Sequence, residues 1–331
     1  MRSLVLTAPG GPEVALIQTV ERPRPGPSQV AIQVSHCGVN FADLMARRGD
    51  YPGLAGWPRV PGLEVSGHVS ALGEGIEHLS IGQPVVALVA GGGYAEVAVA
   101  AAATTIPIPP DASISLAVAA ALPVVISTAL LLLQDTARLR PGETILVHSA
   151  SGGAGAALAQ VARFLGSGLR IGTVGSADKV AAGVEAGYDV ALVRAGDLAG
   201  RVHDATGGRG VDLILNPIGG ASLATDLRLL APGGRLVSFG NASAGPDPGW
   251  PAAAELRRDN ISIAGFSLGS LARTDPDRVA GTIRAALDLV VSGRLALAVT
   301  EVDSLEAAIA TQELLADGRG RGKYAIRIGT R

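Results

Sequence analysis

The residues whose types and spacing best suit chemistry are the small ones of Ser149-Ala150-Ser151-Gly152-Gly153-Ala154-Gly155, ahead of a helical pattern from Ala156 to Gly166. The apolar run Ile145-Leu146-Val147-His148 leads into them, so a buried parallel strand, a turn and a helix are expected in succession. In a turn without bulky side chains, backbone N–H groups can close on a pyrophosphate while the new helix aims its positive N-terminus at it. The spacing Ala150-x-Gly152-x-x-Gly155 is a variant of the dinucleotide fingerprint, with Ala in place of the first Gly. Small residues also permit plain strand-on-helix packing, so the turn alone leaves both readings open.

The residues beyond the helix favour the dinucleotide. Leu169 to Ser176 reads as the second strand of a βαβ unit and runs into Gly175-Ser176-Ala177-Asp178-Lys179. An NAD site commonly carries an acid at this strand's end for the ribose hydroxyls. Here a small polar residue and a lysine stand near that place, and Asp178 is the one acid nearby. A 2′-phosphate is repelled by a carboxylate and bound by hydroxyl, N–H and ammonium, so the pattern favours NADPH. Lysine is scarce: Lys179 and Lys323 are the two, which leaves 25 arginines among the 27 basic residues. A solvated lysine on the first turn of a helix is the plain alternative.

Composition sets the scaffold that must hold these groups. At 331 residues, 48% hydrophobic and 17% charged, the chain has a well-developed core and suggests about two domains. A formal charge of −2, with no basic stripe, argues against nucleic acid as a partner. One cysteine, Cys37, excludes an internal disulfide and most zinc clusters, and a reducing cytoplasmic setting is expected. The N-terminus breaks at Pro9-Gly10-Gly11, too soon for a signal peptide. Leu116 to Leu133 nears the length of a membrane span, but Pro123, Ser127 and Thr128 interrupt it. Two packed helices that meet at the proline, buried between domains, are expected instead.

Two kinds of rhythm divide the chain. Val30–Val34, Val65–Val69, Val85–Val89 and Tyr94–Val99 are short strands between Gly/Pro turns, as in a mainly β barrel-like domain. From Pro141 strands alternate with helices, and Val211–Asn216, Gly234–Gly240 and Ile261–Phe266 supply further parallel strands. Helical patterns over Asp275–Ser292 and Ser304–Asp317 precede a terminal strand, Gly322–Ile328, that is expected to return to the first domain. The expected division is residues 1–122 with 268–331 in one domain and 123–267 in the other.

Pro9 to Val14, Gly38-Val39-Asn40-Phe41-Ala42-Asp43, Gly49-Asp50-Tyr51-Pro52, His148 to Gly155 and Leu236 to Gly240 together resemble the medium-chain dehydrogenase/reductase superfamily. Within it they resemble the zinc-independent quinone oxidoreductases, over essentially the whole chain. The resemblance implies an α/β protein with a GroES-like, mainly β catalytic domain and a Rossmann domain, a doubly wound parallel sheet that binds NADPH. The alcohol dehydrogenase branch holds zinc through a Cys-Gly-x-Cys-His-type segment and a Gly-His-Glu. This chain reads Cys37-Gly38-Val39-Asn40 and Gly62-Leu63-Glu64, and neither Asn40 nor Leu63 suits catalytic zinc. The structural-zinc lobe of four cysteines is missing as well, so no metal is expected. Without a Lewis acid, hydride delivery to a quinone or an α,β-unsaturated carbonyl is the natural reaction.

For that reaction the resemblance singles out Tyr51 as proton or hydrogen-bond donor to the acceptor oxygen, with Asn40 as a second donor. Two alternatives stand beside these roles: Tyr51 packing beside the nicotinamide, and Asn40 as a buried amide that pins its own loop. Cys37 reads as a small core residue. The resemblance carries Ser151, Gly152, Gly153 and Ala154 to the pyrophosphate and Gly175, Ser176 and Lys179 to the 2′-phosphate. Arg194 would join that phosphate or be a surface arginine. Thr128, Asn216, Phe239, Gly240, Phe266, Ser267 and Leu268 would surround the ribose and nicotinamide, and Lys323 would approach from the terminal strand. Trp57, Trp250 and the loop Asn241–Pro251 are candidates to shape the acceptor pocket. A homodimer is implied too. An enoyl-thioester reductase and a non-catalytic NADPH-binding protein are the rival readings, the first disfavoured by Asn241, where polyketide enoyl reductases tend to carry lysine.

Overall fold

Apolar strands joined by Gly/Pro turns early in the chain, and by helices later, gather into two compact units. In the computed structural model, which describes residues 1–51, 56–246 and 249–329, unit 1 is Met1–Ser127 with Leu268–Arg331 and unit 2 is Thr128–Ser267. Pro52 of the Tyr51 motif and part of the Asn241–Pro251 loop lie outside the described residues.

Unit 1 begins with β1 (Arg2–Leu6) paired antiparallel to β2 (Ala15–Thr19). Next come β3 (Gln29–Val39), α1 (Phe41–Arg48), β4 (Glu64–Leu72), β5 (Pro84–Leu88), β6 (Val97–Ala101) and β7 (Thr105–Pro107). β4 pairs antiparallel with β3 and β5, and β6 with β3. One core, with Val30, Ile32, Val34, Val65, Val69, Val85 and Ala87 near its centre, holds them together.

α2 (Leu116–Leu131) starts where Ser115 Oγ accepts from the Val118 N–H, and it runs through Pro123 into a π-turn at Leu132–Thr136. The structure thus has one helix where the proline predicts two. A proline removes its own helical donor and its ring pushes on the turn before it, which frees neighbouring backbone groups. Here the Val124 N–H goes to Glu64 Oε2 at 2.7 Å, so the helix continues across the break. Leu116–Thr136 is long and apolar enough to cross a membrane by length and composition, yet 83% of its most apolar window is buried within the protein, as in a core helix.

Unit 2 alternates β8 (Ile145–His148), α3 (Gly153–Phe164), β9 (Arg170–Val174), α4 (Val180–Glu185), β10 (Val190–Val193), α5 (Leu198–Ala205), β11 (Val211–Asn216), α6 (Ser222–Leu227), β12 (Leu230–Ser238), α7 (Ala253–Asp259) and β13 (Ser262–Gly265). All six strands are parallel, in the order β10-β9-β8-β11-β12-β13. This is the doubly wound Rossmann arrangement, and its order reverses beside β8, which opens a crevice at the carboxyl ends of β8 and β11. Ile145, Leu146 and Val147 are wholly buried, as a central parallel strand covered on both faces requires.

The chain then adds α8 (Leu268–Thr274), α9 (Pro276–Val291), β14 (Val299–Val302), α10 (Ala308–Ala316) and β15 (Lys323–Arg327) to unit 1. β15 pairs antiparallel with β3, Tyr324 opposite Val39 and Arg327 opposite His36, so the tail does return to the first domain. This register brings Lys323 to the end of β3, where Asn40 begins α1.

Candidate active site

In unit 2 the turn after β8 is shaped by backbone. Ser149 takes a left-handed φ of 58°, the Ala150 N–H donates to Thr173 O of β9 at 2.9 Å, and Gly152 caps α3. A Cβ on Gly155 would stand 2.4 Å from Ser149 O and 2.6 Å from Ala150 O, so only glycine lets the helix approach the strand this closely. Tyr188 Oη donates to Gly155 O at 2.7 Å from the far side. Ser151 is buried, and Gly152, Gly153 and Ala154 sit at the amino end of α3, whose first N–H groups and dipole suit an anion.

The ends of β9 and β10 form a second corner. The Arg194 guanidinium lies 3.9 Å from the place a Cβ on Gly175 would occupy, beside the exposed Ser176. Burial lowers the Arg194 pKa while Asp226 raises it. Ser176 Oγ donates to Asp178 at 2.5 Å, so the acid and hydroxyl of this corner already form a pair. Lys179 closes a short turn at Ala177–Lys179 and is 7% exposed, which removes the solvated alternative for it.

Under the crevice runs a buried polar network with little sign in the sequence beyond a histidine ending an apolar strand. His148 Nδ1 meets Thr173 Oγ1 at 2.6 Å and its Nε2 meets Asp226 Oδ1 at 2.8 Å. Asn216 Nδ2 donates to Asp226 Oδ2 at 2.5 Å and to Ser222 Oγ at 2.9 Å, while its Oδ1 accepts from the N–H groups of Ile218 and Gly219. The Asn216 amide is thus committed within its own loop and to α6. Phe239 and Phe266 follow directly, with the Phe239 N–H on Asn216 O and the Phe266 N–H on Ser238 O, each at 3.0 Å. Gly240 packs so close to Pro217 that a Cβ would stand 2.7 Å from its carbonyl oxygen. Asn216, Phe239, Gly240 and Phe266 therefore gather at the carboxyl ends of β11, β12 and β13, with Ser267 exposed at the end of unit 2. Thr128 is buried in α2, and Leu268 opens α8 in unit 1. Trp250 is half-exposed and lines a cavity of about 550 Å³ with Leu227, Leu230 and Ile261.

Unit 1 holds a cluster of its own at the end of β3. Asn40 Nδ2 donates to Glu64 Oε1 at 2.8 Å, and Asn40 Oδ1 accepts from Lys323 Nζ at 2.6 Å. Lys323 also donates to Val39 O at 2.8 Å and pairs with Glu64 Oε1 at 2.6 Å. The resemblance carries this lysine toward the cofactor; in the structure its ammonium is 2% exposed, among acceptors of its own unit. Asp43, three residues after Asn40, caps α1 by accepting from the Asn40 N–H at 2.8 Å, and takes the Tyr94 hydroxyl at 3.1 Å and the Gly62 N–H at 3.2 Å. Burial pushes the Asp43 carboxyl up to about 6, against the pull of the Asn40 N–H and Lys323. Burial also raises the Cys37 thiol well above its usual range, in keeping with a core residue.

Tyr51 is half-buried, and its hydroxyl lies 3.1 Å from where a Cβ on Gly269 would stand. Burial raises its pKa, the Asp43 charge raises it further and Arg273 lowers it. Its phenol holds its proton at neutral pH, as a donor must. Trp57 stacks on the Arg59 guanidinium, 3.7 Å from ring centre. Among the described residues no group of three or more His, Cys, Asp or Glu side chains could hold a metal ion.

The sequence and the fold are similar to those of known proteins. Residues 26–110 match the family model described as the alcohol dehydrogenase GroES-like domain, and residues 153–291 the model described as zinc-binding dehydrogenase. The quinone oxidoreductase of Rattus norvegicus is 34% identical over 293 residues, with 87% of this chain and 86% of that protein covered. One subunit of the phenolphthiocerol/phthiocerol polyketide synthase of Mycobacterium tuberculosis is 31% identical over 332 residues. That alignment takes in 98% of this chain, which spans 15% of the synthase polypeptide's length. The Escherichia coli quinone oxidoreductase solved with NADPH superposes with a TM-score of 0.90 at 28% identity, covering 99% of this chain and 100% of that one.

Proposed function

Because the chain belongs to the medium-chain dehydrogenase/reductase superfamily, in its quinone oxidoreductase branch, we propose that it is an NADPH-dependent, metal-free reductase of quinones or α,β-unsaturated carbonyls. The observation that carries this reading is the turn Ser149–Gly155, where glycine-only packing opens backbone donors and a helix N-terminus at the point of strand-order reversal. These residues fit a dinucleotide. Gly152, Gly153 and Ala154 offer N–H groups to its pyrophosphate, and Arg194 and Lys179 offer positive charge to the 2′-phosphate, which the Ser176 hydroxyl joins by leaving Asp178. Bound NADPH supplies the hydride.

The chain's own residues then manage charge and protons. As electron density reaches the acceptor oxygen, the Tyr51 hydroxyl, kept protonated by its burial, donates to it. A second hydrogen on Asn40 Nδ2 serves the same oxygen. Lys323 and Glu64 hold that amide, and Asp43 holds the turn that carries it. No zinc is assigned, since Asn40 and Leu63 stand where the zinc branch has ligands.

One observation favours a second acceptor class. The alignment with a polyketide synthase segment covers nearly the whole chain, which suits an enoyl thioester, although Asn241 departs from the lysine of such reductases and is tied to Gly245 O and Ser243 Oγ. NADPH oxidation across 1,4-quinones, 2-alkenals and enoyl thioesters decides between them. Turnover of quinones or 2-alkenals well above thioesters is expected, and preferred turnover of thioesters overturns the choice.

A further inference from the structure

A buried ammonium with no solvent needs every proton accepted, and Lys323 meets that demand with three oxygens of unit 1: Val39 O, Asn40 Oδ1 and Glu64 Oε1. The same Glu64 Oε1 accepts from Asn40 Nδ2, so ammonium, carboxylate and amide close a ring of hydrogen bonds. Glu64 itself is held by the Val124 N–H on its other oxygen, and Gly38 leaves it room, since a Cβ there would stand 2.2 Å from Oε1. The ring has one favourable sense. Turning the Asn40 amide over would set Nδ2–H against the ammonium and Oδ1 against the carboxylate, two repulsions in a dry site. Of the two Nδ2 hydrogens, one is given to Glu64, and the sense of the ring decides where the other points.

We propose that Lys323 is a positioning residue: its buried ammonium, with Glu64, locks the Asn40 amide so that the second Nδ2–H is the fixed hydrogen-bond donor of the site. The inference rests on the reading of Asn40 as a donor to the acceptor oxygen, and it replaces a cofactor contact for Lys323 with an action through Asn40.

Selective ¹⁵N-asparagine labelling tests the lock without any substrate, because the chain has four asparagines, Asn40, Asn216, Asn241 and Asn260. In the wild type the Asn40 side-chain NH₂ pair, identified by its loss in Asn40→Asp, is expected to be widely split and slow to rotate. In Lys323→Met, and in the charge-neutral pair Lys323→Met/Glu64→Gln, it should collapse toward ordinary amide values while NADPH binding changes less than about twofold. An NH₂ pair that does not move overturns the proposal, as does failure of both variants to fold, which assigns the ammonium to the fold alone. Kinetics separate the two levels. If the wild type reduces no acceptor, the functional reading fails while the NMR result still stands for or against the lock. If the wild type is active, the neutral pair should lose kcat by about the factor Asn40→Ala loses, with acceptor KM little changed. Adding Asn40→Ala to it should then cost less than about twofold more, since the two act as a unit. Multiplying losses contradict it.

Discussion

Tyr51 and Asp43 show how burial can set a side chain's proton for a purpose. Desolvation holds the Tyr51 proton in place, so the residue can donate when negative charge develops nearby. Tyr51→Phe is expected to lower kcat by something in the roughly 10²–10⁴-fold range of general acid catalysis, with NADPH affinity unchanged. An unchanged rate with enones would assign the ring to packing. Asp43 is a parallel case, a carboxyl whose buried state favours the neutral form. Folded Asp43 keeps its proton to about pH 6, whereas an unfolded aspartate releases it near about 4. Its contribution to stability is therefore present below about pH 4 and is lost as pH rises through about 6, by about 2 to 3 kcal/mol. Asp43→Asn lacks this loss, so denaturation midpoints of variant and wild type should converge or cross in the variant's favour as pH climbs through that window. A difference flat in pH contradicts the assignment. Asn40 and Tyr51 were legible as candidates in the chain, but their partners were not. Glu64 and Lys323 lie 24 and 283 residues from Asn40, and no local pattern joins them.

At the scale of elements, the strand, turn and helix from Ile145 to Phe164 was the most legible part of the chain, because the apolar run and the spacing of small residues act locally. Short β10 and β14, four residues each, left no periodic signal, and their pairing comes from tertiary contacts. Pro123 misled for a physical reason: the acceptor that rescues the helix sits on β4, far away in sequence. The corner between the ends of β9 and β10 carries the cofactor preference. A charge-assisted hydrogen bond contributes roughly 1.5–3 kcal/mol, so Arg194→Ala should raise the apparent constant for NADPH by about tenfold or more. The constant for NADH should stay within about twofold, and the maximal rate should barely change, since the contact is uniform along the reaction. Equal weakening of both cofactors would show that the guanidinium serves the fold and not the phosphate.

For the whole molecule, the alternation of strands and helices beyond Pro141 made the parallel sheet legible in the chain, whereas a sheet edge is what bears on assembly. Among the described residues β13 ends the six-strand order with an unpaired side, and the half-exposed Trp250 precedes it in the chain. An open edge of this kind is commonly covered by a second copy, which continues the sheet by two-fold symmetry. A homodimer is the expected state by light scattering at micromolar concentration, and a monomer throughout that range would leave the edge to another partner.

Hydride transfer from NADPH to a conjugated acceptor is the claim on which the rest depends, and an isotope reads it directly. The protein, with NADPH deuterated at both C4 positions, a 2-alkenal or 1,4-quinone and an excess of chelator, should form oxidised cofactor and reduced acceptor in equal amounts. The saturated aldehyde should carry one deuterium at its β-carbon. NADPH that binds yet stays unconsumed with every acceptor, or turnover that the chelator abolishes and zinc restores, would contradict the account.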